Sequence, residues 1–123
     1  MNESKRQKKV ARLLQKELGG IFQSQVRAIT GKAFITVTEV GITPDFSMAR
    51  VYLSMLMVDD KHALIEKINV RKSEIRGKLG HRIGKQMRVV PDVLFILDEL
   101  QEEATRLDNL IDSLNIPPAP EEE

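Results

Sequence analysis

A chain of 123 residues is long enough for one domain with one core, and 41% hydrophobic against 30% charged residues is the balance of a soluble folded protein, not a disordered one. There is no cysteine, which excludes disulfides and thiolate metal sites. The net charge of +1 hides a segregation: residues 1–16 carry six basic side chains against one acid, residues 71–88 carry seven against Glu74, and residues 92–123 carry ten acids against Arg106 alone. Local potential, not total charge, steers a polyanion, so this pattern favours one as partner. The start lacks the apolar run of a signal peptide, and no stretch approaches the ~20 apolar residues of a membrane span. A cytoplasmic protein with no membrane partner is therefore expected.

In chain order, the first element is a helix from about Ser4 to Arg27. Val10, Leu13, Leu14, Leu18, Ile21 and Phe22 recur at three- and four-residue steps, with basic residues between them. Ser4 is the predicted N-cap. The helix is expected to run through Gly19-Gly20 because Ile21, Phe22 and Val26 resume its phase. Residues 33–43 read as a β-branched strand, and residues 48–58 as a second one joined to it in an antiparallel hairpin. In that second strand Val51, Leu53, Met55 and Met57 are expected to face the core. Phe34 and Phe95 are also assigned to the core. Asp59-Asp60 cap a helix beginning near Lys61 whose buried face is Leu64, Ile65, Ile68 and Ile75, with a change of direction expected between Asn69 and Gly80. Val93–Leu97 forms a third strand, apolar at every position as when both faces are covered. Asp98 caps a last helix with a seam of Leu100, Ala104, Leu107, Ile111 and Leu114. Residues 116–123 form an acidic, proline-rich tail, leaving residues 1–115 as a single domain. Helices grouped on one face of a three-stranded sheet make an α+β fold.

The stretch from Ile75 to Met87 combines three surfaces. At about 100° per residue, Ile75, Leu79, Ile83 and Met87 form one stripe. Lys78, Arg82 and Lys85 fall within an arc of about 60°, and Gly77, Gly80 and Gly84 within another. An apolar, a basic and a bare face meet on one element.

Catalysis finds little support. The two histidines, His62 and His81, lie at a helix start and in the basic stretch. There is no Gly-x-Ser-x-Gly elbow and no P-loop, and the paired carboxylates fall at predicted helix starts, where they favour the dipole. No metal-ligand spacing occurs, so no cofactor or metal is expected. RNA binding is better supported. Gly77-Lys78-Leu79-Gly80 is a GxxG with apolar flanks, the element that clamps nucleotide backbone in KH domains, and it lies after a hairpin and before a strand. Lys78, Arg82 and Lys85 would supply phosphate contacts.

Four segments carry a resemblance. Val40-x-Ile42-x-Pro44-Asp45-Phe46-Ser47-x-Ala49-x-Val51-Tyr52-x-Ser54, Ile75-Arg76-x-x-Leu79-Gly80-x-Arg82, Arg88-Val89-Val90-Pro91-Asp92-Val93-Leu94-Phe95-x-x-Asp98 and Leu107-Asp108-Asn109-Leu110-Ile111 resemble, in that order, the ribosome-binding factor A family. The likeness spans roughly Lys5 to Leu114. It implies a KH-like fold of the second type (α-β-β-α-kink-α-β plus a C-terminal α). It also implies no catalytic activity, and a cytoplasmic bacterial monomer that binds 16S rRNA on the free 30S subunit. Late 30S maturation and 16S rRNA processing, notably in the cold, are the implied roles. The rRNA contacts expected are Lys5, Arg6, Lys8, Lys9 and Arg12 on the first helix, and Lys72, Arg76, Lys78, His81, Arg82, Lys85 and Arg88 on the second basic segment.

The family marks its kink with Ala-x-Gly, where this chain has Arg71-Lys72-Ser73. That register puts the bend upstream of the GxxG and predicts an unbroken helix from about Ser73 to Gln86. A stand-alone KH module binding single-stranded RNA instead needs an open turn at Gly77–Gly80. A third reading, a protein-interaction module, uses the last helix's apolar seam and the acidic tail.

Overall fold

The computed structural model describes residues 3–114. In chain order the elements are α1 (Lys5–Ser24), α2 (Arg27–Thr30), β1 (Phe34–Ile42), β2 (Met48–Leu56), α3 (Lys61–Val70), α4 (Lys72–Ile83), β3 (Asp92–Leu97) and α5 (Glu99–Leu114). β1 pairs antiparallel with β2, and β2 pairs parallel with β3, giving the order β1-β2-β3. This is the expected α+β, KH-like architecture, with α2 as an addition too short to show a period. The acidic tail of residues 116–123 lies outside the described residues.

α1 forms because its apolar positions hold one phase over five turns. Leu14, Leu18, Ile21 and Phe22 are buried on that phase. Its start is closed by a capping box: Ser4 Oγ accepts from Gln7 N–H at 3.1 Å and Gln7 Oε1 accepts from Ser4 N–H at 2.9 Å. The buried Gln7 amide also donates to Ile42 O at 2.9 Å, tying the start of α1 to the end of β1. The helix passes unbroken through Gly19-Gly20.

Ile35, Val37, Val40 and Ile42 of β1, Ala49, Val51, Leu53 and Met55 of β2, and Val93, Phe95 and Leu97 of β3 line the helix-covered face of the sheet. A bulge at Thr38, between Val37 and Glu39, keeps Val40 and Ile42 on the inner face. Three inward assignments fail. Met57 lies past the last ladder pair, at φ 63°, and is exposed; Phe34 opens β1 on the solvent side, 52% exposed. Leu94 is 39% exposed, because it points to the face of β3 opposite the buried Val93, Phe95 and Leu97. The strand's apolar run reflects β propensity, not cover on both sides.

The bend between α3 and α4 is a single residue, Arg71, at φ −104° and ψ 22°. Its N–H donates to Lys67 O and Ile68 O, and its carbonyl accepts from Glu74 N–H. Those angles are open to any L-residue, so the bend needs no glycine. Asn69, two residues before it, straddles β3. Its amide donates to Phe95 O at 2.7 Å and its carbonyl accepts from Phe95 N–H at 2.9 Å, occupying the edge strand's free bonds. α4 buries Ile75, Leu79 and Ile83 and runs through Gly77–Gly80 without a break. The open GxxG turn required by the stand-alone KH reading is absent from this helix. α4 ends at Ile83, three residues short of the expected Gln86, with residues 84–86 forming a turn.

Asp98 caps α5 as expected, its Oδ1 accepting from Gln101 N–H at 3.0 Å, while its Oδ2 accepts from Thr38 Oγ1 at 2.6 Å. The Thr38 bond, foremost, holds the Asp98 carboxyl below its ordinary value. Glu102 extends the β2 ladder past the end of β3 by accepting from Met55 N–H at 2.9 Å, and it pairs with Lys61. Burial pushes the Glu102 carboxyl up, but Lys61 and the Met55 amide outweigh it and leave the group lowered. On either side of this anchor the expected seam is not packed: Leu100, before it, and Leu107, after it, are exposed. The side chains of Ile111 and Leu114 lie outside the described residues.

Candidate nucleic-acid interface

The first turn of α1 holds Lys5, Arg6 and Lys8 and no acid. The helix dipole disfavours cations there by about 0.3–1 kcal/mol each. A local choice against the fold's own preference points to function. At 100° per residue Lys5, Lys9 and Arg12 lie opposite the buried stripe and Lys8 on its flank, and all are exposed. Arg6 turns aside, its guanidinium 5.2 Å from the centre of the Phe46 ring.

The basic residues of α4 do not form one patch. The buried stripe runs between them and sends them to two flanks. Lys72 and Arg76 share one flank with Gly77 and Gly80; Lys78 and Arg82 lie on the other; His81 points outward. Lys85 sits in the turn after the helix and is exposed. Two of the expected contacts already have partners within the chain. Arg76 donates from Nε to Pro91 O at 3.0 Å and from Nη2 to Val90 O at 2.6 Å, holding the segment before β3 against α4. Arg82 Nη1 donates to Glu17 Oε1 at 3.0 Å, joining α4 to α1. Gly20 is what admits this pair: a Cβ there would lie 2.6 Å from Arg82 Nη1. Gly19, by contrast, faces open space.

The α4–β3 segment doubles back along α4 and separates two grooves. The smaller, about 510 Å³, is lined by Lys72, Ser73, Arg76, Gly77, Gly80, Arg88, Val89, Val90 and Asp92. Val90 packs on Gly80, 3.5 Å from where its Cβ would be, while Gly77 faces open space within this groove. The larger, about 1020 Å³, lies between the start of α1, the β1–β2 turn and residues 86–89. Lys5, Arg6, Lys9 and Arg88 rim it; Val10, Leu13, Phe46 and Met87 form its apolar part; Asp45 is the one acid in its lining. Asp45 is engaged by its own turn, accepting from Ser47 and Thr43, and those bonds hold its carboxyl below the ordinary value.

The expected contacts therefore divide. Lys5, Arg6, Lys9 and Arg88 line the larger groove, and Lys72, Arg76 and again Arg88 the smaller. Lys8, Arg12, Lys78, His81, Arg82 and Lys85 line neither. Sequence reading did not find Phe46, whose only signal was its place in the Pro44-Asp45-Phe46 turn. It also missed a basic–apolar patch at the opposite end of the sheet, where Arg27 and Lys32 adjoin Phe34 and Met57. Among the described residues no group of three or more His, Asp or Glu converges as metal ligands, and no helix is long and apolar enough to cross a membrane.

Known proteins share both the sequence pattern and this architecture. The family described as ribosome-binding factor A matches residues 6–111. Ribosome-binding factor A of Cytophaga hutchinsonii is 42% identical over 115 residues, covering 94% of this chain and 86% of that protein. A crystal structure of ribosome-binding factor A from Thermus thermophilus superposes with a TM-score of 0.60 at 18% identity, covering 74% of this chain and 94% of that one. Coordinates of the Thermus thermophilus factor as fitted into a cryo-EM map of its 30S complex give 0.56 at 21% identity, over 70% of this chain and 88% of that one.

Proposed function

Because this chain belongs to the ribosome-binding factor A family, we propose that it binds the free 30S ribosomal subunit through 16S rRNA and assists the late maturation of that subunit. The observation that carries this reading is the placement of cations. α1 accepts basic residues in its first turn against its own dipole; of these Lys5 and Arg6 meet Arg88 across one groove, and Arg88 joins Lys72 and Arg76 in the lining of a second. The Thermus thermophilus relative, whose coordinates were fitted into a 30S complex, has the same fold. Phosphate contacts would come from Lys5, Lys8, Lys9, Arg12, Lys72, His81, Lys85 and Arg88. Arg76 and Arg82 act first on the protein itself, by fixing the groove walls. Lys78 has a half-buried stem on the α1-facing flank and adds charge there.

The chemistry this surface performs is binding, not bond-breaking. Lysine and arginine side chains displace counterions from the RNA backbone, so affinity falls with salt by a slope near the number of phosphates neutralised. Acceleration of 16S rRNA processing, a cytoplasmic location, a monomeric state and a role in cold growth belong to the same proposal. Co-sedimentation with purified free 30S subunits at rising salt tests it. Binding that weakens steeply with salt, together with precursor 16S rRNA accumulating in cells that lack the protein, is the expected result. A protein that sediments with no ribosomal particle at any salt would refute it.

A further inference from the structure

The larger groove holds more than rRNA backbone binding requires. Phosphates need only its rim. Its interior is apolar, made by Val10, Leu13, Phe46 and Met87, and a duplex, whose bases are stacked within, has nothing to place there. Phe46 is held at φ 61°, a conformation rare for a bulky residue that glycine or asparagine would adopt more easily. An aromatic ring kept at such a position is a functional signal. The ring is half-buried, with the Arg6 guanidinium over it, and the groove is large enough for a nucleotide with its neighbours. Four cations rim the groove against one acid that its own turn already engages.

We propose that this groove is a nucleotide subsite that takes one unstacked base of single-stranded RNA. The base lies against Phe46 and Met87, and the flanking phosphates meet Lys5, Lys9 and Arg88. Stacking on an aromatic ring tolerates any base, since each has a π-face, so the subsite reads strandedness more than sequence. It rests on the RNA-binding reading above and adds to it a preference for an unpaired segment.

The test uses the full chain with three probes: a fluorescein-labelled six-nucleotide oligouridylate, a blunt RNA duplex and a glutamate-rich peptide. Phe46→Leu keeps apolar bulk in the same backbone position but removes the ring; Lys8→Gln removes a cation outside the groove. By anisotropy, Phe46→Leu should weaken hexamer binding by about 5–30-fold and duplex binding by less than about 2-fold. Lys8→Gln should weaken both RNAs by a similar small factor. Circular dichroism melting of Phe46→Leu near the parent value shows that the loss is not unfolding. The proposal is overturned if the parent protein does not bind the hexamer, or if Phe46→Leu changes hexamer and duplex binding equally. It is also overturned if the acidic peptide binds the groove more tightly than the hexamer. Normal co-sedimentation of the parent with 30S subunits alongside any of these outcomes removes only the subsite. Failed co-sedimentation removes the wider reading.

Discussion

Asn69 offers a sharp check on how the fold positions its grooves. Its side chain makes two bonds to Phe95, at 2.7 and 2.9 Å, and a third to Ile65 O at 3.2 Å. Asn69→Ala removes them all and leaves the Phe95 N–H and C=O without their partner at a partly buried edge. Each bond contributes about 0.5–1.5 kcal/mol, and incomplete rehydration adds to the loss, so the expected destabilisation is about 2–3 kcal/mol. Urea denaturation measures it, and the Phe95 amide should become one of the faster exchanging protons of β3. Asn69→Asp sharpens the reasoning. Near neutral pH its carboxylate still accepts from Phe95 N–H but faces the Phe95 carbonyl with a like partial charge. Protonated, it regains a donor and mimics the amide. Its deficit should therefore shrink as pH falls through the carboxylate range, opposite to the acid response of the parent. A cost below about 0.7 kcal/mol for Asn69→Ala, or no recovery of Asn69→Asp in acid, would refute the idea that this side chain substitutes for a strand.

Three further outcomes follow from particular residues. Gly77→Ala should raise stability by about 0.5–1 kcal/mol, since the helix gains propensity and the new Cβ meets nothing within 4 Å; if RNA enters the smaller groove closely, 30S affinity falls in the same variant, measurable by sedimentation. Glu102 and Asp98 are both depressed on folding, from 4.5 and 3.8. Their contribution is therefore full above those values and lost as pH falls through the lower folded ones. α5 should detach from β2 as pH falls below the ordinary carboxylate range, seen as faster exchange of the Met55 amide, and Glu102→Gln should flatten that pH dependence. Replacing Lys5 and Lys9 together by glutamine should reduce the salt slope of RNA binding by about two, whereas Arg82→Ala, whose charge is already paired with Glu17, should change it by less than one.

The helices and strands were legible where a period ran long enough. Six residues in one phase carried α1 through two glycines, and the bend at Arg71 lies where the alignment of Ile75-Arg76 put it. α2, with four residues, offers no period to read. Strand alternation misleads at its end: it cannot show where the ladder stops, so it places Met57 inside, while Phe34, assigned to the core for its aromatic ring, opens β1 on the solvent side. The uniform apolar content of β3 looked like burial on both faces, although only Val93, Phe95 and Leu97 are covered. The basic surface was legible as charge, but charge does not reveal which cations the protein uses on itself. Arg76 and Arg82 find carbonyls and a carboxylate that come close only in the folded chain. Phe46 was hidden for the same reason: folding brings it under Arg6, forty positions away, and into one groove with Met87 of the α4–β3 connection.

The parallel pairing of β2 with β3 also governs how the protein reaches this state. β1 and β2 close over a turn of five residues, 43–47, whereas β3 can pair only after residues 57–91 have been laid across the sheet. Such non-local closure is slow relative to hairpin formation, and it needs the α3–α4 elbow already set. Both grooves take part of their walls from residues 86–92, the last connection to be fixed. A chain still emerging from the ribosome that makes it can thus hold α1 and the hairpin with no finished groove. Its binding surface is complete only once β3 lies beside β2 and draws residues 86–92 into place.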